Sequence, residues 1–264
     1  MEEKKNHNCR FMKECHLLGL FFAVVNMSWA QGTTPSPTST VSAGIDLPVS
    51  GWCVVGTKDV KFGPKEEDGK VVFGGEGFGA KGKNMAAFFP ATDLGEGQTL
   101  EFKGKVRLTG VAGTGNFRYG LFKKRSKDHT RGWLGYCAYA GFDKAFPSGA
   151  LLARLKDNDA DFSGMKGAKG EAAARDLGQS ITGSKTMKDG AYVLVMKLKR
   201  LGGAIEVEST LDGAGDVPTP MVRYSTKDSE PATTQFDAVG FVTHEVLSTD
   251  SIEFSDISVK LQGP

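Results

Sequence analysis

Between Thr99 and Phe122, four basic side chains fall at spacings that suggest anion chemistry. Lys103, Lys105 and Arg107 alternate with apolar residues, which is the period of two of a half-buried strand, so all three share one face. Arg118 follows in NFRYGLF. If the glycine-rich TGVAGTG loop closes a hairpin near Ala112 and Gly113, Leu108 pairs with Phe117, Val106 with Tyr119 and Gly104 with Leu121. That register sets Arg107 beside Arg118 and Lys103 beside Phe122. Two arginines side by side repel unless an anion or a carboxylate lies between them. The row therefore reads either as a groove for acidic sugars or as a solvated face with Asp and Glu neighbours.

Three further groups have chemical potential. Tyr119, Phe122, Trp133, Tyr136 and Tyr139 are aromatics of the kind that pack on the C–H side of a pyranose, with Trp133 and Tyr136 the candidates to face a ligand and Tyr119 a core residue. Asp157, Asp159 and Asp161 in DNDAD have the alternate-oxygen spacing of a calcium loop, but Phe162 and Ala168 stand where an EF-hand needs Gly and Glu. His129 and His244 lie in different segments without a second His or Cys at zinc spacing, and His244 is followed by Glu245. Neither G-x-S-x-G nor a phosphate-loop motif occurs, and the GGEGFGAKGK stretch from Gly74 reads as a loop.

Strands must carry these residues. Among 264 residues, 35 glycines accompany 39% apolar residues without a long helical period, which predicts an all-β chain of short strands joined by tight turns. Expected strands include Gly51 to Thr57, Val71 to Phe73, Met85 to Pro90, Ala150 to Leu155, Met221 to Ser225, Phe236 to His244 and Ile252 to Leu261. Gly132 to Phe142 is apolar on both faces and belongs in the middle of a sheet. Ala191 to Asp212 gives a second hairpin, with Gly202 and Gly203 at the turn. It pairs Leu198 with Val207 and Leu194 with Leu211 on one face, and Lys199 with Glu206 and Lys197 with Glu208 on the other. The apolar side of the last strand switches after Phe254, predicting a bulge near Ser255. Asp157 to Gln179 reads as a long loop holding at most about two helical turns.

Residues 1–30 have the pattern of an export signal: basic residues at the start, an apolar run from Leu17 to Val25, and Ser28-Trp29-Ala30 as a small-x-small cleavage site. The run is short of the roughly 20 residues that span a bilayer. Cleavage near Ala30 would send the protein to the periplasm or the exterior, with no membrane span in the mature chain. Its 29 basic and 28 acidic residues then give no electrostatic reason to bind nucleic acid. Residues 31–46, rich in Ser, Thr and Pro, read as a disordered leader, and residues 47–264 as one domain. Cys53 and Cys137 are left as either one disulfide or two thiols.

The closing stretch FDAVGFVTHEVLSTDSIEFSDISVKL, with Phe236, Val239, Gly240, Phe241, Ile252, Phe254, Asp256, Ile257 and Val259 at its key positions, resembles the concanavalin A-like lectin and glucanase superfamily. GWCVVG and FRYGLF add a distant likeness to 3-keto-glycoside hydrolase domains. The resemblance implies a two-sheet antiparallel β-sandwich of jelly-roll type, pairing of the first and last strands, and carbohydrate as the partner. The acidic E-x-D-x-x-E triplet of the hydrolytic members and the R-x-E-x-R and Q-x-H strands of alginate lyases are absent. What it implies is thus a secreted, non-catalytic lectin-like domain with no cofactor other than calcium. The alternatives are a polysaccharide-degrading enzyme with a site near Arg107, Arg118, Tyr136 and His244, and an envelope structural or adhesion protein.

Overall fold

The computed structural model describes residues 44–56, 63–75, 78–79, 82–124, 132–141, 149–154, 174–183, 185–244 and 247–264, all within one compact unit. They form fifteen strands: β1 (Ile45–Leu47), β2 (Ser50–Val54), β3 (Lys65–Glu67), β4 (Lys70–Gly74), β5 (Asn84–Asp93), β6 (Thr99–Thr109), β7 (Phe117–Lys123), β8 (Leu134–Ala140), β9 (Ala150–Arg154), β10 (Ala174–Gln179), β11 (Gly190–Leu201), β12 (Ala204–Ala214), β13 (Val222–Asp228), β14 (Gln235–Thr243) and β15 (Ser251–Gln262). One sheet runs β13-β12-β11-β6-β15-β4-β3, with β1 also on β15; the other runs β10-β9-β8-β7-β14-β5-β2. Every pairing is antiparallel, and the result is the two-sheet sandwich expected.

Pattern and register agree where local chemistry decides both. The β11–β12 hairpin has the expected pairs Leu198↔Val207, Leu194↔Leu211, Lys199↔Glu206 and Lys197↔Glu208. Its turn residues Gly202 and Gly203 have φ of 61° and 81°, the left-handed values of a type I′ turn. β1 pairs with β15, and β8 lies between β7 and β9. Tyr136, Ala138 and Ala140 of β8 join the core between the sheets, while Trp133, Cys137 and Tyr139 join a second buried cluster on the other face.

The expected β6–β7 hairpin does not form. β6 pairs along its length with β11 on one edge and β15 on the other, so no edge is left for β7, which lies in the opposite sheet between β14 and β8. The connecting residues are held by other segments. Gly110 and Val111 N–H groups donate to the Asp189 carboxylate at 3.0 and 2.6 Å, Ala112 bridges to Ser248, and the His244 N–H donates to the Asn116 carbonyl. The chain arches from one layer to the other. Alternation had fixed the right faces, since Val106, Leu108, Phe117, Tyr119 and Leu121 are all buried, but a face does not specify a partner.

Three smaller differences follow from strand edges. β1 starts at Ile45, two residues before the expected start of the domain, and β3 is a short, fully exposed strand that apolar alternation does not mark. Ala174–Gln179 is an edge strand on β9 rather than part of a loop. No disulfide joins Cys53 to Cys137: three strands lie between β2 and β8, about 19 Å at the usual strand spacing and far beyond disulfide reach.

Tyrosine hydroxyls tie the layers together. Ser209 Oγ of β12 donates to Tyr119 Oη of β7 at 2.8 Å, Tyr136 Oη of β8 donates to Asp228 Oδ2 of β13 at 2.9 Å, and Tyr224 Oη of β13 donates to the Tyr139 carbonyl of β8. Each hydroxyl finds a partner across the core, as a buried polar group requires. Burial pushes all three phenols well above their ordinary range, and at Tyr136 the neighbouring Asp228 charge adds to it.

Candidate functional site

The basic row is divided between the two outer faces of the sandwich. Lys103, Lys105 and Arg107 are exposed on β6. Lys103 pairs with Glu101 at 2.7 Å and Lys105 with Asp256 at 2.8 Å, while Arg107 stands opposite Glu253. Carboxylate neighbours therefore account for this face. Arg118 is 4% exposed on β7, with its Nε donating to Asn116 Oδ1 at 2.7 Å and its guanidinium 4.0 Å from the centre of the Tyr139 ring. It faces Tyr139 and Val242 across its strand pairs, not Arg107.

The aromatic candidates are inside. Trp133 packs against Phe88 and Phe122 in the second cluster, and Tyr136 is engaged with Asp228, so neither offers an open ring. Arg107, Arg118, Tyr136 and His244 are not gathered anywhere: they occupy one outer face, the other outer face, the core and the end of β14. Asp157, Asp159, Asp161, His129, Glu245 and the export segment lie outside the described residues. Among the described residues no three His, Cys, Asp or Glu side chains are grouped to hold a metal ion, and no helix is long and apolar enough to cross a membrane.

Glu101 is the unusual member of the β6 face, because it is only 5% exposed on an otherwise open surface. Its Oε1 accepts Lys103 and its Oε2 accepts Lys197 at 3.2 Å. Burial raises its proton affinity, but the hydrogen bonds and charges of the two lysines outweigh that and hold the carboxyl below its ordinary range.

A cleft of about 360 Å³ opens at the other end of that sheet. β15 is paired with β4 from Ser251 to Phe254 and with β1 from Val259 to Leu261, both on the edge away from β6. Between them no strand pairs with that edge among the described residues. The bulge lies at this gap: Ser255 is opposite Lys105 and Ser258 opposite Lys103, so Asp256 and Ile257 share the place facing Gly104. Asp256 has φ of 51°, a left-handed conformation that Asp tolerates better than most residues.

Trp52 lines the cleft, half-buried, with its ring stacked on Phe254 at 5.0 Å and on Phe241 at 6.0 Å between centroids. Around it stand Val49, Ser50, Val71, Ser255 and Ile257, and the β3–β4 hairpin brings Glu66, Glu67, Asp68 and Lys70. That hairpin turns on Asp68 and Gly69, with φ of 51° and 72°. Glu66 pairs with Val71, which packs against the core, so a carboxylate occupies a place on the inner side of the sheet edge. The arrangement offers an aromatic surface beside hydroxyls and carboxylates at the small end of the ~300–1,000 Å³ range of small-molecule sites. Sequence reading missed this site, because its residues come from four strands, β2, β3, β4 and β15, and the connections beside them. The only signal was Trp52 in an otherwise short apolar strand.

No family model matches the chain, and no curated protein matches it. Its fold is similar to several solved structures at low identity. The potassium-bound carbohydrate recognition domain of Emp46p is 13% identical over 80% of this chain and 87% of that one, with a TM-score of 0.46. A legume lectin-like domain from Entamoeba histolytica is 14% identical over 80% and 88%, with a TM-score of 0.44. The exoplasmic/lumenal domain of VIP36, in a form bound to Ca2+ and Man3GlcNAc, is 13% identical over 77% and 82%, with a TM-score of 0.40.

Proposed function

We propose that this chain is an exported, non-catalytic, lectin-like β-sandwich that binds carbohydrate, and that the Trp52 cleft is its sugar site. The observation that carries the reading is the placement of a half-buried Trp at a break in the sheet edge, beside Ser50, Ser255, Glu66 and Asp68. A pyranose presents C–H groups to an aromatic ring and hydroxyls to polar acceptors, and the cleft supplies both. Binding is favoured over hydrolysis because the cleft carboxylates Glu66 and Asp68 both come from the one β3–β4 hairpin, whereas glycoside hydrolysis needs two carboxyl groups flanking one bond. The paired state of Lys103 and Lys105 removes the reason to place the ligand on the β6 face.

The test is a glycan array probed with the purified protein, followed by calorimetry on the best ligand. Trp52→Ala should weaken binding by about tenfold or more, as expected for a central aromatic contact. Because Trp52 also packs on Phe254, the exposed Ser50→Ile, which narrows the cleft without touching the core, should weaken it too. Binding that survives Ser50→Ile moves the site elsewhere, and failure to retain any glycan refutes the carbohydrate reading. Release of reducing ends by the protein would instead support the enzyme. Calcium belongs to the reading as an ion for Asp157, Asp159 and Asp161, whose carboxylates supply hard oxygen ligands. A melting temperature that chelation leaves unchanged, and calcium does not raise, removes it.

A further inference from the structure

We infer that the cleft prefers sugars bearing a free amine, the glucosamine class, over neutral and acidic ones; the inference rests on the carbohydrate reading above. Charge and shape together lead there. Among the described residues of the lining, Glu66 and Asp68 bring carboxylates to the cavity, while Glu67 and its strand partner Lys70 stand on the outer face of the hairpin, where Lys70 is engaged by Glu253 at 3.2 Å. The nearby bases offer no relief, since Lys105 is held by Asp256 on the outer face. An acidic sugar entering here brings a negative charge toward two of its own sign, and among the described residues of the lining no lysine or arginine is placed to receive it. An ammonium meets the reverse situation. It finds carboxylate acceptors and, beside them, an indole, whose ring face attracts a cation better than that of any other aromatic side chain. The sugar ring itself keeps the C–H surface that Trp52 can pack. Anionic polysaccharides, the ligands suggested by the basic row of β6, are thereby disfavoured at the cleft that Trp52 lines.

Calorimetry with three oligosaccharides of equal length distinguishes the charge term from sugar binding as such. The ligands are a glucosamine oligomer, its N-acetylated counterpart and an oligo-uronate, used at about pH 5.5 so that the sugar amine is protonated. The glucosamine oligomer should bind about fivefold or more tightly than the acetylated one, and the uronate weakest of the three. The combined variant Glu66→Gln, Asp68→Asn should reduce the preference to about twofold or less, and raising the salt should narrow it in the same direction. Both positions are exposed, so the fold tolerates the change. Equal or tighter binding of the acetylated oligomer overturns the amine preference while leaving the carbohydrate reading intact. Glucosamine binding that persists in Ser50→Ile overturns it as well, since the contact is then with another acidic surface. If none of the three binds and no other glycan does, both readings fall together.

Discussion

Cδ1 of Ile257 lies 2.2 Å from the place a β-carbon on Gly104 would take. The two residues face each other where β15 bulges against β6, and the absent side chain on Gly104 is what lets Ile257 fold back onto the sheet beside the Trp52 cleft. Gly104→Ala should therefore act as overpacking and destabilise the protein by about 2 kcal/mol. The next atom, Ile257 Cγ1, is 3.5 Å away, so shortening the side chain relieves the clash. Ile257→Val alone should cost about 1 kcal/mol. The double variant should be more stable than Gly104→Ala by itself, giving a favourable coupling in a urea-denaturation cycle. Additive losses would mean that Ile257 is not what occupies the space.

A second contact closes the far end of the sandwich. Asp228 is 1% exposed and receives Tyr136 Oη, an Arg175 guanidinium N–H and the Glu230 backbone N–H, so β8, β10 and β13 meet at one carboxylate. Tyr136→Phe removes one donor and should cost about 1–2 kcal/mol. Asp228→Ala leaves the Tyr136 hydroxyl and half-buried Arg175 without their acceptor and should cost more, about 3 kcal/mol. Thermal unfolding of the two variants checks the order, and an Asp228→Ala protein as stable as wild type would show that the carboxylate is not the tie.

The cases of Leu198 and Leu108 explain how far the sequence could be read. Leu198 pairs with Val207 as its alternation and the Gly-Gly turn require, because the turn is local and charge complementarity selects the same register. Leu108 has equally clear alternation, but its partners are Ile252 and Gly190, more than 80 residues away in sequence, and no local rule selects them over Phe117. Arg107 and Arg118 were separated by that one choice. Trp133 and Tyr136 lie in the stretch Gly132 to Phe142, apolar on both faces, which correctly predicted the central place of β8 and thereby also their burial. Trp52 could not be distinguished from a core residue until the gap between β1 and β4 was visible, since a gap in a sheet leaves no periodicity.

Glu101 makes stability depend on pH. Its carboxyl is held below the ordinary range in the fold and returns to it when the chain unfolds. The folded state therefore gains from its ionised form above the unfolded pKa, and that gain is lost as pH falls through the folded value. Glu101→Gln should lower stability at pH 7 by about 1 kcal/mol, discounted because Lys103 and Lys197 are about half-exposed. Urea midpoints at pH 7 and at about pH 3 provide the check: the difference between wild type and variant should shrink at the lower pH. A difference that grows on acidification would reverse the sign assigned to the lysine pair.

The arch between β6 and β7 depends on Asp189, which accepts both the Gly110 and the Val111 N–H groups. Its carboxylate takes the place of the strand partner that these two groups lose where the chain leaves the sheet, as a buried or half-buried backbone donor demands. Asp189→Ala should cost about 1 kcal/mol and, more diagnostically, speed hydrogen exchange at Gly110 and Val111 while leaving Val106 protected by its ladder. Asp189→Asn retains one acceptor oxygen and should fall between the two. Unchanged exchange at both amides in the alanine variant would mean that the Ala112–Ser248 bridge alone holds the arch.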